Sequence, residues 1–319
     1  MIDDAILAEA DRLDVGPAGN IYLDLIMNPT RDGMSDDKSI VAPVPDGKGA
    51  NCVFLCLTAR HTFSGATATT GYITPLPPSS TLACAIHVFY GGDVTSPASS
   101  PTAISYDSGW NERTPASAFI SSTSSYRIVA MGLKVHCSSS AAVAGTPGIF
   151  VGGLTSRIGQ ASAVPAFNTY ASFQPYLDTG SNRTASEGMT VRSLVDNEML
   201  NFTATPVNLY GAATALTGFG RRPMIFFTGI AADSTLAIES NLYVEVAVSP
   251  QSCPIPVLPP IYEDEFPKLL AFANSQQYIT SGNSFKSFIK SVGKIASQTF
   301  RFINKNKSIF TPVAKLIMG

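Results

Sequence analysis

Between residues 50 and 250 the chain is a succession of short apolar segments with no helical pattern between them. Eight stretches read as strands: 51–59, 81–90, 125–137, 147–154, 189–195, 199–206, 222–231 and 235–249. They are rich in Val, Ile, Phe and Tyr, which suit a pleated, half-buried surface, and Gly, Pro and Ser bound them at turns. Arg127–Val135 and Leu242–Val246 alternate in places, as strands with one buried face do. A parallel sheet needs a helix of about 10–15 residues between strands, and none is visible. The expected fold is all-β, a single eight-stranded antiparallel jelly-roll sandwich with N-terminal and C-terminal helices. Another β-sandwich has the same periodicity and stays open as the alternative.

The flanks read differently. Residues 2–14 place Ile2, Ile6, Ala10 and Leu13 on one helical face, with Asp3, Asp4 and Glu9 near the start, where the helix dipole favours acid. Gly16-Pro17 is expected to end this helix. Ile21–Met27 is a second apolar segment, stopped by Asn28-Pro29. A polar loop with Asp32, Asp36, Asp37 and Asp46 follows. After Pro259-Pro260 the pattern turns helical, with Asp264-Glu265-Phe266-Pro267 as the start and Lys268–Tyr278 as the body. Ser281-Gly282-Asn283 then breaks the chain. The expected division is an N-terminal arm with short helices and an acidic loop at 1–48, a jelly-roll domain at 49–250, a helical segment at 251–283 and a basic amphipathic tail at 284–319.

Charged residues make up 14% of the chain and apolar ones 45%. A free-standing soluble domain carries about 25% charged residues, so a chain this poor in charge is expected to bury surface against copies of itself. The acidic start, Met1-Ile2-Asp3-Asp4, is unlike a secretory signal. No stretch approaches the roughly 18 apolar residues of a membrane-spanning helix. Five cysteines form no CxxC pair and no zinc spacing, which fits buried thiols in a reducing compartment.

Charge is unevenly placed. From Ser284 to Gly319 there are seven cations and no Asp or Glu, while the rest of the chain is net −9. Phe285, Phe288, Ile289, Val292, Phe300 and Ile303 recur at helical spacing, and Lys286, Lys290 and Lys294 form an i, i+4 ladder off that stripe. Such a cationic amphipathic helix suits a membrane interface. Burial of its apolar face is worth roughly 10 kcal/mol gross, and each lysine adds about 1 kcal/mol near anionic lipid. A surface helix packed on its own domain is the alternative, but ordinary surface helices mix signs.

Catalytic templates are mostly absent. His61, His87 and His136 have no metal spacing, and Gly65-Ala66-Thr67 and Gly152-Gly153 read as turns. Asp36 and Asp37 are candidate ligands for a cation such as calcium at a subunit interface, with a solvated acidic loop as the alternative.

Several segments, taken together, resemble the coat-protein precursors of insect nodaviruses. They are Pro259–Glu265, a helix, Asn283-Ser284-Phe285, then Ser287–Ser291; the stretch Tyr22–Asp32; and Phe226–Glu245 followed by Ser249-Pro250. The resemblance implies a coat protein that forms an icosahedral, T=3 shell around single-stranded RNA, assembled in the host cytoplasm and resident in the virion. It implies self-cleavage between Asn283 and Ser284, assisted by a buried Asp on the Pro-containing loop, for which Asp32 is the first candidate and Asp36 or Asp37 the alternatives. The released peptide, carrying Phe285, Phe288, Ile289, Val292 and Phe300, would act on the host membrane. This is single-turnover chemistry rather than a turnover enzyme. The Asn283 amide nitrogen can attack its own carbonyl and break the bond to Ser284, but an amide is a poor nucleophile and needs positioning and a proton donor. A carboxyl buried in an assembled shell has a raised pKa and can donate near neutral pH. Without a basic N-terminal arm, Lys286, Lys290, Lys294 and Arg301 are the expected phosphate contacts. The alternative function is a lectin-like β-sandwich binding module. A hydrolase ranks last because no nucleophile–base set is visible.

Overall fold

The computed structural model describes residues 16–30, 44–48, 52–64, 70–76, 85–91, 102–104, 123–138, 148–155, 174, 177–197, 199–204, 221–248 and 260–280. Twelve strands in these residues form two antiparallel sheets. The strands are β1 (Cys52–Ser64), β2 (Thr70–Leu76), β3 (Ala85–Gly91), β4 (Thr102–Ile104), β5 (Thr123–Ser138), β6 (Ile149–Thr155), β7 (Thr179–Thr184), β8 (Met189–Arg192), β9 (Thr203–Ala204), β10 (Arg222–Thr228), β11 (Thr235–Val248) and β12 (Ile279–Thr280). The first sheet runs β1-β11-β5-β8-β12, with β9 also on β5. The second runs β4-β3-β2-β10-β6-β7.

The pairings are nested. β1 pairs with β11, β2 with β10, β5 with β8 and β6 with β7. Taking these eight strands in chain order, the first pairs with the last, the second with the seventh, the third with the sixth and the fourth with the fifth. A long hairpin rolled on itself gives this pattern, so the sandwich is a jelly roll.

Two of these eight strands fall outside the expected segments. β2 contains Gly71 and Pro75, both of which weaken a strand reading. β7, Thr-Gly-Ser-Asn-Arg-Thr, has no apolar residue and lies at the sheet's edge, where burial does not demand one. The expected strand at 199–206 reduces to the two-residue β9, and 81–90 becomes β3, outside the nested eight.

The core between the sheets is apolar. Ile73, Phe150, Ile225 and Phe227 face Ile128, Met131, Leu133, Val191, Leu242 and Val244. A second cluster lies on the outer face of the first sheet, under two helices, α1 (Pro17–Met27) and α2 (Phe266–Ser275). The helix expected at 2–14 lies outside the described residues, and Pro17 begins α1. Its φ suits the first turn, where its missing N–H is not needed. Asn28-Pro29 stops the helix as expected. Tyr22 and Phe266 rings meet at 5.6 Å. Burying Tyr22, Ile26, Phe266 and Leu269 contributes on the order of 10 kcal/mol gross to holding the helices on the sheet. Among the described residues no helix is long and apolar enough to cross a membrane.

A β-bulge sets what the outer face displays. The β5–β11 register shifts so that Tyr243 opposes Ala130 and Val244 opposes Ile128, leaving Val129 extra. Strict alternation would put Arg127 and Gly132, an odd number of residues apart, on opposite faces. The bulge brings both to the helical side.

Candidate functional site

The chain's buried polar groups concentrate where the two terminal segments meet the outer face of the first sheet. Arg127 on β5 is fully buried. Its Nε donates to Glu245 Oε2 at 2.6 Å, and Nη1 and Nη2 donate to Asp46 Oδ2 and Oδ1 at 2.6 and 3.1 Å. Nη1 also donates to Leu200 O at 3.3 Å, and the guanidinium lies over the Phe202 ring at 4.8 Å. The Val44 N–H donates to Glu245 Oε1. Glu245 and Arg127 are a cross-strand pair on β11 and β5, so the strand register itself aligns this contact.

Burial alone lowers the Arg127 pKa, but the hydrogen bond to Asp46 and the charges of Glu245 and Asp46 outweigh it and hold the cation. Burial raises the Glu245 carboxyl, more than Arg127 and the Val44 N–H lower it. The neighbouring Tyr22 hydroxyl is likewise pushed up by burial, and the Cys52 thiol to about 11.

The ion cluster ties the 44–48 segment to the sheet, and that segment ties down the C-terminal one. Gly47 N–H donates to Ile261 O at 2.8 Å, and Glu263 N–H to Pro45 O at 3.1 Å. Gly47 has φ 74° and lies against the exposed Tyr262 ring, a turn that suits glycine. Glu263 then caps α1, accepting the Gly16 and Gly19 N–H groups at 3.0 Å each. A carboxylate there meets the orphan donors and the positive end of the helix. At the other end of the layer, Arg192 Nη2 donates to Ala273 O at 2.6 Å and Gln276 O at 3.1 Å, closing the C-terminus of α2. Burial lowers the Arg192 pKa to about 10.

A third anchor holds the turn after α1. Asn241 Nδ2 donates to Pro29 O at 2.9 Å. Gly132, its cross-strand partner, lies under Pro29 and Thr30. Across the sheet, Gly132 pairs with Arg192, whose N–H donates to Tyr278 O at 3.0 Å. One row of the sheet thus runs Asn241, Gly132, Arg192, Tyr278.

Asp32, Asp36 and Asp37 fall in 31–43; Asn283, Ser284, Phe285, Lys286, Phe288, Ile289, Lys290, Val292, Lys294, Phe300 and Arg301 fall in 281–319. All lie outside the described residues. Thr30 and Thr280 are the described residues that precede the two segments in sequence. Among the described residues no group of three or more His, Cys, Asp or Glu could hold a metal ion. Sequence reading missed Arg127, Glu245, Arg192, Glu263 and Asn241. Arg127 and Glu245 were visible only as single charges inside apolar strands, and nothing local says that they pair.

The described residues thus form a nested jelly roll with two helices layered on the outer face of one sheet. Solved structures that share this fold include several from infectious bursal disease virus. One, from virus-derived T=1 particles, has 9% identity and a TM-score of 0.56, covering 86% of this chain and 96% of that one. Another, from the T13 viral particle, has 9% identity and a TM-score of 0.57, covering 92% and 100%. The VP2 subviral particle gives 8% identity and a TM-score of 0.56, covering 86% and 99%. No family model matches the sequence, and no curated protein matches it. At such identities the likeness is one of fold.

Proposed function

We propose that this chain is a virus coat protein that assembles with copies of itself into an icosahedral shell around its genome. The observation that carries this reading is the fold match, which spans 92% of the chain and the whole of a subunit from a viral particle. The low charge content supports it, because a shell subunit buries much of its surface against its neighbours. Electron microscopy of the purified chain tests it. Uniform closed particles are expected, and discrete small oligomers of a lectin type would overturn it.

The finer reading follows the nodavirus resemblance. The shell matures by self-cleavage at Asn283–Ser284 and frees the 284–319 peptide to disrupt a host membrane. In the step, the Asn283 side-chain nitrogen bonds to its own carbonyl carbon and gives up a proton. The bond to Ser284 breaks, and the Ser284 nitrogen takes a proton from the Asp32 carboxyl, which is then restored by the proton from Asn283. A cyclic imide is left at the new C-terminus. Chain geometry supports bringing these groups together. Thr30 lies on Gly132, and Thr280 is two strands across and two residues along, roughly 12 Å away in the sheet plane. Two and three further residues reach about 7 and 10 Å, enough for Asp32 and Asn283 to meet. Before release, Lys286, Lys290, Lys294 and Arg301 face the genome, which is single-stranded RNA in this reading. Binding should weaken steeply with salt as counterions return to the phosphates.

The intact mass of aged particles tests cleavage. Loss of the 284–319 segment is expected in the native chain and its retention in Asn283→Ala. Full mass in native particles would overturn the reading. Deletion of 284–319 should reduce packaged nucleic acid, and undiminished packaging would remove the genome-binding role.

A further inference from the structure

We propose that Asn241 and Gly132 form a clamp that holds the turn after α1 in register for self-cleavage, with Asn241 a positioning residue of that reaction. The inference rests on the self-cleavage reading above.

The clamp has two parts on adjacent strands. At Gly132, a Cβ would lie 2.7 Å from Pro29 Cγ and 2.5 Å from Thr30 Cγ2. Only glycine lets the turn touch the strand. The β5 bulge is what presents this glycine to the helical side. Opposite it, Asn241 is 4% exposed and directs its amide to Pro29 O at 2.9 Å, with a second contact to Glu239 Oε1 at 3.2 Å.

Packing alone does not call for this side chain. The layer is otherwise sealed by Tyr22, Val129 and Tyr243, and an apolar residue at 241 would fill it without burying an amide. Asn241 Oδ1, Thr30 Oγ1 and Asn28 Oδ1 are all buried without a hydrogen-bond partner among the described residues. Unmet polar atoms are rare in folded chains and recur where geometry serves chemistry. These three lie at one turn, others lie elsewhere in the described residues, and the turn is followed in sequence by Asp32. A hydrogen bond to a proline carbonyl fixes where the following residues leave the sheet. Cleavage by a weak nucleophile depends on such fixed geometry, since small displacements of a proton donor lower the rate steeply.

The expected consequence has two readouts. When the turn is released, the donor is held less well, so the cleavage rate falls. In the self-cleavage reading the donor works because the assembled shell buries it, so releasing the turn should let water reach it and favour its ionised form. The reaction needs the donor protonated, and the rate therefore declines at a lower pH than in the native chain.

The experiment follows the intact mass of assembled particles over time at a series of pH values. Native particles are compared with Asn241→Ala, Gly132→Ala and Thr74→Val. Thr74 makes the same kind of buried bond, to Pro223 O at 3.2 Å, but on the second sheet. Asn241→Ala is expected to assemble and cleave at least tenfold more slowly, with the decline shifted to lower pH. Thr74→Val is expected to cleave at the native rate. Gly132→Ala should be slowed as well, and where it does not assemble, Asn241→Ala decides. A native rate and pH profile in Asn241→Ala, or equal slowing in Asn241→Ala and Thr74→Val, overturns the clamp. Full-length mass in native particles overturns the cleavage reading instead, and the positioning role with it.

Discussion

Replacing Arg127 by Met tests whether the buried ion cluster holds the helical layer to the sheet. Arg127 is wholly buried, and Glu245 and Asp46 side chains are 1% and 7% exposed. Methionine fills most of the space but leaves Glu245 as a buried carboxylate with no cation. Breaking a buried pair in this way costs about 3–5 kcal/mol. At about 2–4 °C per kcal/mol for a chain of this order of size, the midpoint should drop by roughly 6–20 °C. The sign with pH also follows. Burial holds the Glu245 pKa above its unfolded value, so its contribution is greatest below that value and is lost as pH rises through the folded one. Removing Arg127 takes away a charge that lowers it. The deficit of the variant should therefore grow as pH rises above the ordinary Glu value of about 4.3. Urea unfolding of unassembled subunits, followed by circular dichroism, measures this. In Arg127→Met/Glu245→Leu both ions are gone, Asp46 can turn toward water, and most of the loss should be recovered. A single variant within about 1 kcal/mol of the native chain, or a double variant as damaged as the single one, would refute the ion cluster's role and leave only packing.

Two further outcomes follow from the same layer. Glu263→Ala removes two charge-assisted bonds from the start of α1, which should cost about 1 kcal/mol and speed hydrogen exchange at the Gly16 and Gly19 amides. Cys52, with its pKa pushed up to about 11 mainly by burial, should resist alkylation in the folded chain at pH 8. Because the folded value lies above the unfolded one, the thiol's contribution to stability falls as pH rises from 9.0 to about 11, and rapid labelling at pH 8 would contradict its burial.

The sequence made the fold legible wherever burial imposed a pattern. β5, β10 and β11 were found because they are long and apolar, and β10 is buried along nearly its whole length. β2 was hidden by Gly71 and Pro75, although the structure buries Thr70–Pro75. β7 was hidden because an edge strand needs no apolar face. The helix at 266–275 was signalled by its acidic start and Pro267; that at 17–27 was half seen, because Pro17 marks a helix start as readily as a stop. The polar anchors were illegible for a different reason. Arg127 and Glu245 are far apart in sequence, and only the β5–β11 register and its bulge bring them together. Glu263 caps a helix from the opposite end of the chain. Sequence periodicity carries local faces, not such long-range partnerships.

The central claim is assembly into a closed shell, and the most direct measurement is electron microscopy of the purified chain with sedimentation of the same sample. The account expects uniform, closed, roughly spherical particles that sediment as one large species. A chain that remains monomeric, or forms only small open oligomers under every condition in which the jelly roll is folded, would contradict it.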